Sequence, residues 1–183
     1  MNKRAEIYLS LDNANIEEAI SISKNLCNTI DGIKIGKEFF SSNGPDGIKK
    51  ISDLGIPIFI DLKFHDIPNT VYGAIKSIIK LEPRIINVHT LGGPKMLESA
   101  VKSVNDNFIE KKPLIIGVTL LTSLDQKSVD LIGFKGNLDE IVVNLALLAK
   151  NSGLDGVVCS PREIKLIRKY CGEDFIIITP GIR

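Results

Sequence analysis

Seven short runs of almost unbroken apolar residues recur along the chain: EIYLSLD (6–12), DGIKIG (31–36), IPIFIDL (56–62), RIINVHT (84–90), PLIIGVTLL (113–121), DGVVCS (155–160) and DFIIITP (174–180). They do not alternate apolar with polar, so neither face of such a strand is suited to water. Strands of this kind are covered on both faces, as in parallel sheets. The segments between them supply the cover. Within 68–81, Val71, Ile75, Ile78 and Ile79 recur at helical spacing and make one apolar stripe. SPREIKLIRKYCG has Ser160 as N-cap, Pro161 at the first helical position, Glu163 to complete a capping box and Gly172 as a stop. NGPDGIKKISDLG reads as a helix opened by Pro45 and closed by Gly55, and 137–151 as the most apolar helix. No Pro- or Ser-rich linker divides the chain, so residues 1–183 read as one domain.

Alternating β and α segments with parallel-type strands leave two architectures, an open doubly wound sheet or a (β/α)8 barrel. The polar residues favour the barrel. Asp12, Lys34, Asp61 with Lys63, His89, Thr122, Ser160 and Pro180 all fall at or just past strand C-terminal ends. In a barrel those ends converge on one mouth. An open sheet would spread them along a line, and no G-x-G-x-x-G follows the first strand. The expected fold is therefore an α/β (β/α)8 TIM barrel with about seven strands in this chain and two open edges.

Composition narrows the function classes. With 23 Lys and Arg against 22 Asp and Glu, the charge is balanced and gives no basis for non-specific binding to nucleic acid or anionic membrane. No Trp is available for base stacking, and no apolar run approaches the ~18 residues of a membrane span. The first residues, MNKRAEIYLSLDNAN, show no signal-peptide pattern, and Cys27, Cys159 and Cys171 form no C-x-x-C pair. Both features fit a reducing cytoplasm.

The chemistry concentrates in FIDLKFHDIPNT, Phe59 to Thr70. Side chains alternate along a strand, so Asp61 and Lys63 face the same way, within contact range of each other. Asp66 lies past the strand end, where it could cap a helix starting at Ile67, and Thr70 is four residues on along that helix face. Lys34 would add a second ammonium and Asp12 a further carboxylate. A single structural ion pair is an ordinary feature, but buried pairs are seldom net stabilising relative to apolar replacements, which makes a whole mesh of them hard to explain as scaffolding. Alternating charges hold a lysine ionised and aimed, which suits a proton donor. His65 and His89, without clustered partners, read as structural rather than metal-ligating. Met96 and Phe64 read as packing, and Gly92-Gly93 as a turn before a helix at 94 in preference to a phosphate nest.

FIDLKFHDIPNTV closely resembles the D-x-K-x-x-D-I-P-x-T signature of the orotidine 5′-phosphate decarboxylases. LSLD (9–12), GIKIGKEFF (32–40), INVHTLGG (86–93), VTLLTS (118–123), SGLDGVVCS (152–160) and ITPGIR (178–183) resemble further family blocks in the expected order. The resemblance implies decarboxylation of orotidine 5′-monophosphate to uridine 5′-monophosphate with neither metal nor organic cofactor. It implies that Asp12 bonds a ribose hydroxyl and that Lys34 contacts the ribose and joins the charge network. Asp61 would lie against the substrate carboxylate, and Lys63 would deliver the proton to C6. Asp66, with Ile67 and Thr70, would reach the partner's site in a homodimer. Thr122 would read the pyrimidine edge, Pro180 would line the pocket, and Arg183 would approach the phosphate. The family pattern continues past P-G-I-R with a glutamine-bearing loop, a last strand ending in a Gly-Arg pair and a last helix. Against that pattern the sequence reads as C-terminally truncated, with weak turnover expected of this segment alone.

Two rivals remain open at this point. A sister barrel family of sugar-phosphate decarboxylases and hexulose-phosphate synthases shares the D-x-K-x-x-D core but carries a metal-binding Glu on the second strand, where this chain has Lys34. A catalytically silent remnant serving only as a dimerisation module is the other.

Overall fold

The computed structural model describes residues 4–12, 15–108 and 110–181. Seven strands are formed: β1 Tyr8–Leu11, β2 Gly32–Ile35, β3 Ile58–Phe64, β4 Ile85–His89, β5 Leu114–Val118, β6 Gly156–Val158 and β7 Ile176–Ile178. All neighbours pair in parallel, and the spatial order equals the chain order from β1 to β7. That is the strand order of a (β/α)8 barrel, with β1 and β7 as the edges among the described residues.

The helices are α1 Ile16–Leu26, α2 Lys37–Ser52, α3 Pro68–Ile78, α4 Pro94–Asn107, α5 Gln126–Leu131, α6 Leu138–Asn151 and α7 Ile164–Cys171. Caps set several of their starts. Asn15 accepts from the N–H groups of Glu17 and Glu18, and Asn137 from that of Glu140. Ser160 and Glu163 form the expected capping box, closing a 3-10 turn that leads into α7. The stripe of α3 is buried at Val71, Ile75 and Ile78. Helix α2 consists of two helical segments joined at Gly44, whose φ of 60° and ψ of -163° are non-helical. The second segment opens at Pro45, as the sequence suggests, and a first segment from Lys37 precedes it across the kink.

Strand alternation divides the interior in two. Ile33 and Ile35 of β2, Ile58 and Ile60 of β3, and Ile86 and Val88 of β4 point outward into the main core, packed with Phe39, Ile48, Val71, Ile75 and Leu97 from the helices. The alternate residues point to the barrel axis. There Phe59, Ile85 and Ile116 form a second, smaller cluster, with Tyr8, Val158 and Ile176 packed against it. Met96 is fully buried and Phe64 packs on the main core, as their sequence context suggests. The β7 residues are only half-buried, as befits an edge strand.

Candidate active site

The axial face of β3 reads Phe59, Asp61, Lys63. Phe59 sits opposite Lys34 of β2 and Ile85 of β4 in the ladder. One layer of apolar side chains therefore floors the axis, and the charges stand above it at the C-terminal ends of the strands. Asp61 is the hub. Its Oδ1 accepts from Lys63 Nζ at 2.6 Å, and its Oδ2 lies 3.0 Å from Lys34 Nζ. Lys34 in turn lies 4.0 Å from Asp12 Oδ1, and Asp12 Oδ2 accepts from Ser10 Oγ at 2.7 Å. Asp61 and Lys63, which alternation puts on one side, thus join Lys34 and Asp12 from the neighbouring strand ends in one chain of charge: Asp12, Lys34, Asp61, Lys63.

Exposure grades along that chain. The side chain of Asp61 is 11% exposed, those of Lys34 and Lys63 22% and 28%, and that of Asp12 58%. Burial pushes the Asp61 carboxyl up. The Lys63 hydrogen bond, the Lys34 ammonium, the Asn87 amide and the Lys63 charge together outweigh it and hold the group below its ordinary value. Asp61 is a fixed anion between two cations. Gly36 makes room for the outer pair: a Cβ there would stand 2.9 Å from Asp12 Oδ1 and 3.7 Å from Lys34 Nζ.

Lys63 itself has an unusual backbone. Its φ is +54°, one of two non-glycine residues in the left-handed region among those described. Such a conformation costs about 1–2 kcal/mol for a residue with a Cβ. It coincides with a register shift in which Ile60 pairs with Ile86 but Phe64 pairs with Val88. Asn87, fully buried on β4, faces this irregularity. Its Oδ1 accepts from Lys63 N–H at 2.8 Å and its Nδ2 donates to Asp61 Oδ1 at 2.6 Å. Sequence reasoning passes over Asn87 within INVHTLGG. The available signal is an amide at an axial position of an otherwise apolar strand.

The remaining sequence-selected residues lie around the rim. Asp66 does not cap α3. The helix begins at Pro68 with Ile67 as N-cap, and the Asp66 carboxylate accepts from the neighbouring Ile67 N–H, at 2.6 Å. Asp66 sits one residue too early to reach the free amides of the first turn. Asp66, Ile67 and Thr70 are all exposed, Ile67 to 67%. Thr122 lies in the loop after β5, which stops at Val118, and Pro180 follows β7; both are exposed. Arg183 lies outside the described residues. Gly92 and Gly93 form the turn before α4, where Gly93 at φ 79° is the N-cap.

His89, last in β4, stacks on His65 with ring centroids 5.3 Å apart. Burial, then the charges of His65, Lys63 and Lys37, lower its pKa, and its Nδ1 is buried without a hydrogen-bond partner among the described residues. Burial likewise pushes the Cys159 thiol up to about 12, so it is no nucleophile at neutral pH. Among the described residues no three His, Cys, Asp or Glu side chains are grouped to hold a metal ion.

An acid flanked by two ammoniums above an apolar floor, at the C-terminal ends of parallel barrel strands, defines an enzyme of the TIM-barrel class equipped for proton transfer next to developing negative charge. Residues 5–183 match the family model described as Orotidine 5′-phosphate decarboxylase / HUMPS family, and the chain belongs to that family. It is 41% identical to the orotidine 5′-phosphate decarboxylase of Paramagnetospirillum magneticum, over 97% of this chain and 77% of that protein. It is 44% identical to that of Carboxydothermus hydrogenoformans, over 97% and 75% of the respective chains. A crystal structure of orotidine 5′-phosphate decarboxylase from Lactobacillus acidophilus superposes with a TM-score of 0.89 at 38% identity, covering 98% of this chain and 82% of the other.

Proposed function

We propose that the protein decarboxylates orotidine 5′-monophosphate to uridine 5′-monophosphate in pyrimidine biosynthesis, without a metal or organic cofactor, in the cytoplasm. The observation that carries the reading is the Lys34–Asp61–Lys63 array within a chain of this family. In the reaction the bond from C6 to the carboxylate carbon breaks, carbon dioxide leaves, and the electron pair stays on C6. No ring position delocalises that pair, so the protein must stabilise it directly. Asp61, fixed as an anion, disfavours the substrate carboxylate beside it, while Lys63 favours the carbanion and transfers its proton to C6. That preference for the transition state over the ground state is what accelerates a reaction. Solvent then reprotonates the lysine.

In this reading the whole of 1–183 acts as one barrel domain. Asp12 and Lys34 hold the ribose, Thr122 reads the pyrimidine edge, Pro180 lines the pocket and Arg183 meets the phosphate. Asp66, Ile67 and Thr70 complete the site of a second subunit. Support for the dimer is the exposure of Ile67, Leu91 and Leu121 on consecutive loops at the mouth end of the sheet. Mixing Lys63→Ala and Asp66→Ala chains tests it: hybrid dimers with shared sites recover activity that neither parent has.

The central test is release of labelled carbon dioxide from the substrate carboxylate. Lys63→Ala is expected to lower kcat by about 10³-fold or more, in the range of a general acid at a preorganised site. Undiminished release would end the proposal. Chelator should leave the rate unchanged, since Lys34, 3.0 Å from Asp61, places a cation where the metal-dependent sister family needs an acidic ligand.

A further inference from the structure

Resting on the decarboxylase reading, we propose that Asn87 is a positioning residue for the proton donor: its carboxamide carries the Lys63 backbone across the β3 irregularity and sets the rotation of the Asp61 carboxylate. Between their paired ends, β3 runs from Ile60 to Phe64 while β4 runs only from Ile86 to Val88. The excess residues of β3 fall out of the ladder, which leaves the Lys63 N–H without a backbone carbonyl opposite. Asn87 Oδ1 stands in for that carbonyl at 2.8 Å. The other end of the same amide donates at 2.6 Å to Asp61 Oδ1, the very oxygen that accepts from Lys63 Nζ at 2.6 Å. Oδ2 is thereby turned to Lys34, 3.0 Å away.

The sense of the amide is fixed by its partners, because a backbone N–H can only donate and an ionised carboxylate can only accept. Few side chains can do both tasks at once. Aspartate offers the acceptor but no donor, and sets a second carboxylate against Asp61. Leucine offers neither, and serine is too short to bridge. Asn87 is fully buried, so bulk water is not at hand to replace it. Without the amide, Lys63 loses the contact that holds its φ at +54°. Its ammonium then leaves from a different Cα direction.

The experiment compares wild type, Asn87→Asp and Asn87→Ala for orotidylate decarboxylation across the pH range. Asn87→Asp should lose about 10²-fold in kcat near neutrality, where both acids are ionised. It should regain activity as pH falls, because the coupled pair takes up one proton and the protonated acid can donate as the amide did. Wild type should not share that limb. Asn87→Ala should lose about 10–100-fold in kcat, with affinity for uridine 5′-monophosphate changed less than about threefold and no acid recovery. A pH profile of Asn87→Asp parallel to wild type, or kcat within about twofold of wild type in either folded variant, would overturn the assignment. If Asn87→Asp does not fold, Asn87→Ala decides alone. A wild type that releases no carbon dioxide defeats the functional reading and not this one. The crystal structure of Asn87→Ala then decides: Lys63 at negative φ upholds the positioning role, and an unchanged positive φ refutes it.

Discussion

The two faces of β3 make an instructive pair. On the outward face, Ile58 and Ile60 are packed into the main core, with side chains from the helices on every side. On the axial face, Phe59 holds the apolar floor, and then Asp61 and Lys63 follow within the same strand. The outer face is governed by volume, and any well-fitting apolar residue would serve it. The inner face above Phe59 is governed by charge and direction, and it holds the irregular features of the strand: the register shift and the left-handed lysine. On the proposed function, stability and chemistry are separated by one residue of alternation. A strand buried on both faces can carry function without weakening the core that supports it.

Substitutions that act on one face only should break the two apart. After Lys63→Ala, the largest effect is expected from Asp61→Ala, which leaves the Lys34 and Lys63 ammoniums facing each other without their shared anion. Steady-state assay should show kcat lower by about 10²–10³-fold, with the outer core untouched. Ile60→Ala is the reverse case. Denaturant unfolding should show a loss of about 2–5 kcal/mol from the cavity, with kcat per folded molecule unchanged. Comparable loss of activity per folded molecule in Ile60→Ala would show that the faces are coupled.

Gly36→Ala is a milder probe of the mouth. A Cβ 2.9 Å from Asp12 Oδ1 displaces that carboxylate. If Asp12 bonds the ribose, KM should rise by about 2- to 10-fold, the worth of one hydrogen bond, with kcat nearly constant. The smallest effect concerns His89. Its folded pKa lies below the ordinary value of 6.5, because burial and nearby cations disfavour the imidazolium. The stability tied to its neutral form is complete above that value and is lost as pH falls below it toward the folded pKa. Unfolding free energy measured from neutral to mildly acidic pH should therefore decline in wild type and decline less in His89→Gln. Asp61, also lowered, contributes in a separate window below the ordinary carboxylate range.

These contrasts bear on what could be read before any fold was known. The apolar runs forecast seven parallel strands, and alternation forecast that Asp61 and Lys63 share a side; both hold, and Lys34 and Asp12 join them. Where the sequence misled, the cause was local. Pro45 opens a helical segment as its sequence suggests, but nothing in that stretch shows that an earlier segment from Lys37 runs into it across the Gly44 kink. Asp66 looked like a cap because Asp before a helix usually is one, but Pro68 set the start one residue later. Asn87 carried only a faint signal, one amide at an axial position of an apolar strand.

Residue order alone determined the alternation of strand and helix, the apolar faces and the charge types at the strand ends, because these follow from periodicity and solubility of single segments. Tertiary structure alone decided that β3 slips against β4, that Lys63 turns to positive φ there and that one buried amide bridges it to Asp61. Register is a property of two strands together. No single stretch of sequence contains it.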